Sequence, residues 1–235
     1  MIDVGGNFGW YSLLSAAHGC RVISWEPVPT FRAFFELAVE MNGFGDRITI
    51  RDLVVGNTAN QTVKMVVPNK GIWGTASVEG GNIDQAIEND GPLQELLVRT
   101  ETVDDVVDEE VCVMKVDVEG FEPYVFEGAE RLIGSKKVKN VLIEYSPGVW
   151  ERQNKWNEMH KLPSMIEAFM DAGMEVRNIE DAFTRGGIGR SKESDWKAPL
   201  RYKYEKITRE TLKFDHVNAD RMAQKLVRAP PPFAP

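Results

Sequence analysis

The chain opens on a short apolar run, Ile2 to Val4, interrupted by an acid at Asp3 and followed by Gly5-Gly6-Asn7-Phe8-Gly9. Trp10 to Ala17 is then apolar-rich and stops near Gly19, so the start reads as strand, tight glycine corner and helix. Arg21 to Trp25 predicts a second short buried strand, closed by Glu26-Pro27 because proline cannot continue a ladder. From Pro29 to Met41 the residues Phe31, Phe34, Phe35, Ala38 and Met41 recur at helical spacing and are expected to face the core. Arg47 to Val55 predicts a third strand, ended by Gly56-Asn57.

Beyond it the simple alternation of strand and helix is broken. Thr62 to Val67 alternates as a strand, and Ile72 to Val78 is placed to meet it across Pro68-Asn69-Lys70-Gly71 as an inserted hairpin. Gly80 to Gly91 is polar and acidic and predicts a loop, Leu96 to Thr102 an edge strand, and Val103 to Val107 a helical turn. Val111 to Asp117 is nearly all apolar, as in a strand covered on both faces, and runs into Val118-Glu119-Gly120-Phe121-Glu122-Pro123. A helix from Pro123 to Ile133 and a strand from Lys139 to Tyr145 follow. Leu162 to Ala172 has helical periodicity, Met174 to Ile179 returns as a strand, Gly186 to Pro199 is a loop, and Arg201 to Ile207 supplies a last antiparallel strand.

This order defines an α/β protein with an open, mostly parallel sheet and helices on both faces. A single domain is expected over residues 1–229, with 230–235 as a frayed proline-rich tail. Met1 falls inside the first predicted strand, so the expectation is a chain whose N-terminal leader is missing, and no compartment is assigned. At 235 residues with 43% hydrophobic and 27% charged positions, the composition is that of a globular domain. The net charge of −8 argues against nucleic acid or an anionic lipid surface as partner, and no apolar run is long enough to cross a membrane. Cys20 and Cys112 are expected as small core residues, and His18, His160 and His216 as surface residues. Trp73, Trp150 and Trp156 are read as partial core or pocket lining.

Asp3, Glu26, Asp117 and Glu144 all fall at or near the carboxyl ends of predicted strands, where open α/β sheets bind ligands. Gly5, Gly6 and Gly9 do not fit the dinucleotide spacing G-x-G-x-x-G. Asp3 would repel a pyrophosphate there and attract an ammonium group, while Glu26 at the next strand end can accept two hydrogen bonds from ribose hydroxyls. A ligand with a cationic amino-acid end and a ribose satisfies both.

Asp3-Val4-Gly5-Gly6-Asn7-Phe8-Gly9, Trp25-Glu26-Pro27, Asn42-Gly43 and Lys115-Val116-Asp117-Val118-Glu119-Gly120-Phe121-Glu122 together resemble the FkbM family of S-adenosylmethionine-dependent methyltransferases. The resemblance covers Met1 to Tyr145. It implies a Rossmann-like seven-stranded sheet of the class I methyltransferase type and methylation of a hydroxyl oxygen on a small molecule or sugar. It implies that Asp3, Gly5, Gly6, Asn7 and Gly9 form the cofactor loop and that Glu26, beside Pro27, holds the ribose. Asp52 or Leu53 would border the adenine. The family usually carries alanine or another small residue where Gly6 stands, a mild departure.

Methyl transfer from a sulfonium is an in-line displacement that depends on positioning, and a hydroxyl acceptor must also lose its proton. Asp117 is expected to face the methyl donor and Glu119 or Glu122 to handle the acceptor, Gly120 allowing a turn that brings the acids to one side. Glu122 reads equally as a helix N-terminal acid, and Lys115 equally as a snorkelling side chain or an ion-pair partner of these acids. Asp117, Glu119 and Glu144 are an alternative set of hard oxygen ligands for a divalent cation, although their spacing does not demand a metal and none is assigned. Two rivals stand beside the methyltransferase: a nicotinamide-dependent oxidoreductase, against which the glycine spacing counts, and a cofactor-binding module without turnover.

Overall fold

A computed structural model of the chain describes residues 1–68, 73–80, 93–145, 149, 150, 153, 155–180 and 203–206. They fall into two compact units, Met1–Leu162 and Pro163–Pro235. In the first unit, β1 (Ile2–Val4), β2 (Val22–Trp25), β3 (Ile48–Arg51), β8 (Val111–Val116) and β9 (Val138–Ile143) form a parallel sheet in the order β3-β2-β1-β8-β9. The order reverses between β1 and β8, the switch point at which such sheets open a crevice. Right-handed crossovers then put α1 (Trp10–Ala17) and α2 (Pro29–Asn42) on one face. The same rule puts α4 (Glu122–Glu127) and α5 (Glu130–Gly134), which connect β8 to β9, on the other. Val4 pairs with Trp25 on one side and Val116 on the other, so these strands end level with one another.

Among the described residues the parallel sheet is five-stranded where seven strands were expected: the strands predicted at 174–179 and 201–207 pair with each other, and the third strand is shorter than expected. Its apolar run is broken at Asp52-Leu53: β3 stays in the parallel sheet, whereas β4 (Val54–Val55) enters a second sheet. That sheet also contains β5 (Thr62–Val67), β6 (Ser77–Val78) and β7 (Gln94–Glu101), in the order β4-β7-β5-β6. The sequence predicted a hairpin from Thr62 onward and an edge strand from Leu96. Antiparallel pairing of β5 with the two-residue β6 is present but confined to Met65 and Val66, whereas β5 pairs over its whole length with β7, which lies between two neighbours and not at an edge. Arg51 on β3 donates through Nε and Nη2 to Glu101 Oε1 on β7 at 2.9 and 2.7 Å, tying the two sheets where the chain passes between them.

Helix α2 buries Phe31, Phe35 and Val39, whereas Phe34 and Met41, expected in the core, are 54% and 77% exposed. A helix apolar on three sides leaves its buried stripe ambiguous, and here the stripe is set by Phe35 lying under the glycine corner. Cys112 is exposed and Cys20 half-buried, against the expectation of core cysteines. The ladder from β8 to β1 begins at Met114, so Cys112 has no partner on that side. His18 and His160 are exposed, while Trp150 is fully buried.

The helix expected over Pro123 to Ile133 is two helices. The chain turns at Gly128, where the backbone is pressed so closely on the Gly56 carbonyl that a Cβ would overlap it. The second helix, α5, is capped from a distance: Asp104, on α3 (Val103–Val106), accepts from Arg131 N and Leu132 N at 2.8 and 2.9 Å. The second unit, taken by itself, contains most of α6 (Lys161–Asp171) and an antiparallel pair, β10 (Arg177–Glu180) with β11 (Lys203–Lys206). No described helix is long and apolar enough to cross a membrane. His216, the predicted loop at 186–199 and the tail at 230–235 lie outside the described residues.

The contact at Gly128 gives a stability test. Gly128→Ala is expected to cost about 1–3 kcal/mol by overpacking. Gly134→Ala, with nothing within 4 Å of the added methyl, should be neutral or stabilising by a few tenths. Urea unfolding of the two variants beside the parent protein checks the difference.

Candidate functional site

The level strand ends put Gly5, Glu26, Asp117 and Glu144 along one edge of the parallel sheet. Gly5 N and Gly6 N both donate to Trp25 O, at 3.1 and 2.9 Å, folding the glycine corner back over β2. Gly9 adopts a left-handed φ of 85° and sits on the Phe35 ring, where any Cβ would collide. A Cβ on Gly5 would likewise overlap the Asp117 carbonyl oxygen. The glycines are therefore required by the corner's own packing, which holds β1 and β8 close at the switch point.

A cavity of about 370 Å³ opens at this edge, within the range of small-molecule sites. Its polar side carries Asn7, Glu26, Lys115, Asp117 and Glu119, and its apolar side is supplied largely by the second sheet through Val54, Met65 and Val78, with Ala76, Phe31 and Phe121. Val28, Phe31, Val54, Met65 and Val78 also belong to one core cluster, so this wall is fixed by packing.

Of the cofactor residues expected from the sequence, Gly5, Gly6, Asn7, Glu26, Pro27, Leu53 and Asp117 line the cavity. Asp3, Gly9 and Asp52 are not among its walls. Glu26 is buried, with Oε2 accepting from Asn7 N at 2.7 Å and Oε1 from Val28 N at 2.8 Å. Burial pushes its carboxyl up to about 7, against the opposing pull of those two hydrogen bonds. Asp3 is 1% exposed, and its Oδ2 accepts from the Ser12 hydroxyl at 2.6 Å. Burial raises its carboxyl too, while Lys115 lowers it. Asp3 is thus a buried carboxyl bonded to Ser12, with the Lys115 ammonium nearby.

Asp117 and Glu119 both line the cavity. Successive left-handed residues, Glu119 at φ 56° and Gly120 at φ 95°, make the turn that strand alternation alone would forbid. Glu122 does not reach the cavity. Its Oε1 accepts from Val118 N and Gly120 N at 3.0 and 3.1 Å, so the carboxylate is folded back to hold the loop that presents the other two acids. Glu122 is buried, and burial pushes it up to about 7. On the far side of the loop, Trp150 Nε1 donates to Gly120 O at 2.8 Å. Sequence reasoning offered Trp150 as core or pocket and missed this bracing bond, since nothing local marks a partner thirty residues away.

Lys115 makes ion pairs, as one of its two sequence readings held: its Nζ is 3.4 Å from Asp117 and 3.6 Å from Asp3. Asp117, Glu119 and Glu144, the alternative hard-ligand set, offer oxygens within 4.8 Å of one another. Acidic groups often gather in this way without an ion, and no metal is assigned.

The model of the FkbM methyltransferase domain matches residues 3–176, and the chain belongs to that family of methyltransferases. The match runs past Tyr145, where the sequence resemblance stopped. A crystal structure of methyltransferase FkbM from Methylobacillus flagellatus KT is 21% identical, with a TM-score of 0.43 over 69% of this chain and 36% of that one. This chain therefore spans about a third of that protein's length. No curated protein matches at a significant level.

The two buried acids set a pH dependence. Glu26 and Glu122 bind protons more tightly folded than unfolded, so the stability these two groups contribute is fully present below 4.5 and is lost as the pH rises through about 7. Thermal unfolding between pH 5 and 8 should show Tm falling across that window. Glu122→Gln keeps an acceptor oxygen for Val118 and Gly120, and should flatten part of the fall.

Proposed function

We propose that this methyltransferase uses S-adenosylmethionine to methylate a hydroxyl on a small molecule or sugar. The observation that carries the reading is Glu26: a buried carboxylate in the cavity wall at the end of β2, oriented by Asn7 N and Val28 N. Each of its oxygens retains a lone pair, which suits two neighbouring ribose hydroxyls. Asn7 Oδ1 and Trp25 Nε1, on residues that line the same cavity, are buried without hydrogen-bond partners. Leu53, Val54 and Phe121 supply an apolar surface for a flat base. These features fit the donor.

Bound there, S-adenosylmethionine supplies an electrophilic methyl group on a sulfonium, open to in-line attack by an oxygen. The chain's own part is to place that oxygen and take its proton. Asp117 and Glu119 share the polar side of the cavity, so one carboxylate can face the cationic donor while the other accepts the hydroxyl proton. Glu122 serves them by keeping the loop in its turned form. The apolar wall from the second sheet excludes water from that side and gives the acceptor a surface to rest on.

Titration calorimetry with S-adenosylhomocysteine tests the reading. The parent protein should bind, and Glu26→Ala should bind about a hundredfold more weakly or worse, given the loss of two hydrogen bonds to a charged acceptor. Affinity should also weaken as the pH falls below about 7, where Glu26 takes up its proton. Absence of binding by the parent protein would overturn the proposal. Binding without transfer to a broad panel of hydroxylated acceptors would replace it with a cofactor-binding module.

A further inference from the structure

We propose that Lys115 is a positioning residue of this site, joining the glycine corner to Asp117 across the switch point, and is more than a counter-ion for Asp3. The inference rests on reading the cavity as the methyl-transfer cleft. Lys115 lies in β8 directly beside Asp3 of β1, and its side chain is 6% exposed. Its shortest contact is to neither acid: Nζ donates to the Gly5 carbonyl at 2.7 Å. Asp117 Oδ2 and Asp3 Oδ1 are farther, at 3.4 and 3.6 Å, and the Tyr11 ring centroid lies 5.7 Å away.

A lysine whose task was to neutralise Asp3 would close to about 2.7–2.9 Å on that carboxylate. Asp3 Oδ2 is instead bonded by Ser12, and the ammonium leans toward the carbonyl of the corner. It thereby touches the ends of both central strands, the backbone of one and the carboxylate of the other. Among the described cavity-lining residues it is also the one cation, set between the acids Glu26, Asp117 and Glu119 and the corner. Transfer in line requires reacting atoms at fixed spacing, and this ammonium fixes the spacing of the two segments that would hold donor and acceptor.

Lys115→Met alone leaves a buried unpaired carboxylate and could unfold the chain. The test therefore uses Asp3→Asn and the double variant Asp3→Asn/Lys115→Met, which removes both charges. Hydrogen exchange is read first, without cofactor. In the double variant the amides of residues 5–9 and 117–120 should exchange about tenfold faster or more than in Asp3→Asn, with β2 and β3 unchanged. S-adenosylhomocysteine affinity is read second: Asp117→Asn should weaken it in the Asp3→Asn background and cost little further in the double variant. Exchange at the level of Asp3→Asn in both segments would overturn the proposal, because a plain counter-ion predicts that removing both partners restores order. Equal costs of Asp117→Asn in the two backgrounds would overturn it as well. If exchange shifts while the parent protein binds no S-adenosylhomocysteine, the role of Lys115 stands and the assigned function falls.

Discussion

The fold depends on how closely two pieces of backbone approach at the centre of the parallel sheet. Gly5 lies against the Asp117 carbonyl with no room for a side chain between them, and Gly9 rests on the Phe35 ring. This approach brings the ends of β1 and β8 together, which places the corner beside the acids of the next loop. It also selects the buried face of α2, because Phe35 has to support the corner from below. The cavity is what remains between these fixed parts and the second sheet.

Around this contact the chain buries charge to an unusual degree. Asp3, Lys115, Glu26 and Glu122 are each at most 5% exposed. An isolated charge in such a setting would be strongly unfavourable, so each is held by specific hydrogen bonds or an opposite charge. The arrangement is costly at neutral pH, as the upward displacement of Glu26 and Glu122 shows. Well-packed apolar groups in the same places would not carry that cost, but they could not hold the corner and the acidic loop in one orientation. Here stability is given up for geometry at the site.

Much of this was legible from short stretches of sequence. The strand, glycine corner and helix at the start announce themselves through local pattern, and so does the placing of Glu26 and Asp117 at strand ends. Left-handed turns are also local, so Glu119-Gly120 could be read as a reversal. What could not be read depends on partners far along the chain. The break at Asp52-Leu53 is hidden because apolar residues continue on both sides of it, in different sheets. Phe34 has the same spacing signal as Phe35, and only the corner distinguishes them. Lys115 reads as a snorkelling or ion-paired side chain and Glu122 as an acceptor acid or a helix N-terminal acid, but their contacts to Gly5, Val118 and Gly120 come from folding that periodicity does not encode.

The departure of the chain from one sheet into another after Arg51 divides the cavity by origin. Its charged side is made by strand ends whose register is locked through four neighbouring pairs. Its apolar side comes from a separate sheet, tied on by the short Asp52-Leu53 passage, the Arg51–Glu101 pair and the core cluster it shares with Val28 and Phe31. The hydrogen bonds from Asn7 N and Val28 N that orient Glu26, and those to Trp25 O that fold the glycine corner, come from outside the second sheet, which meets that region through side-chain packing on Val28 and Phe31. The two walls of one cavity are thus held by different means, the charged one by ladder register and the apolar one by side-chain packing.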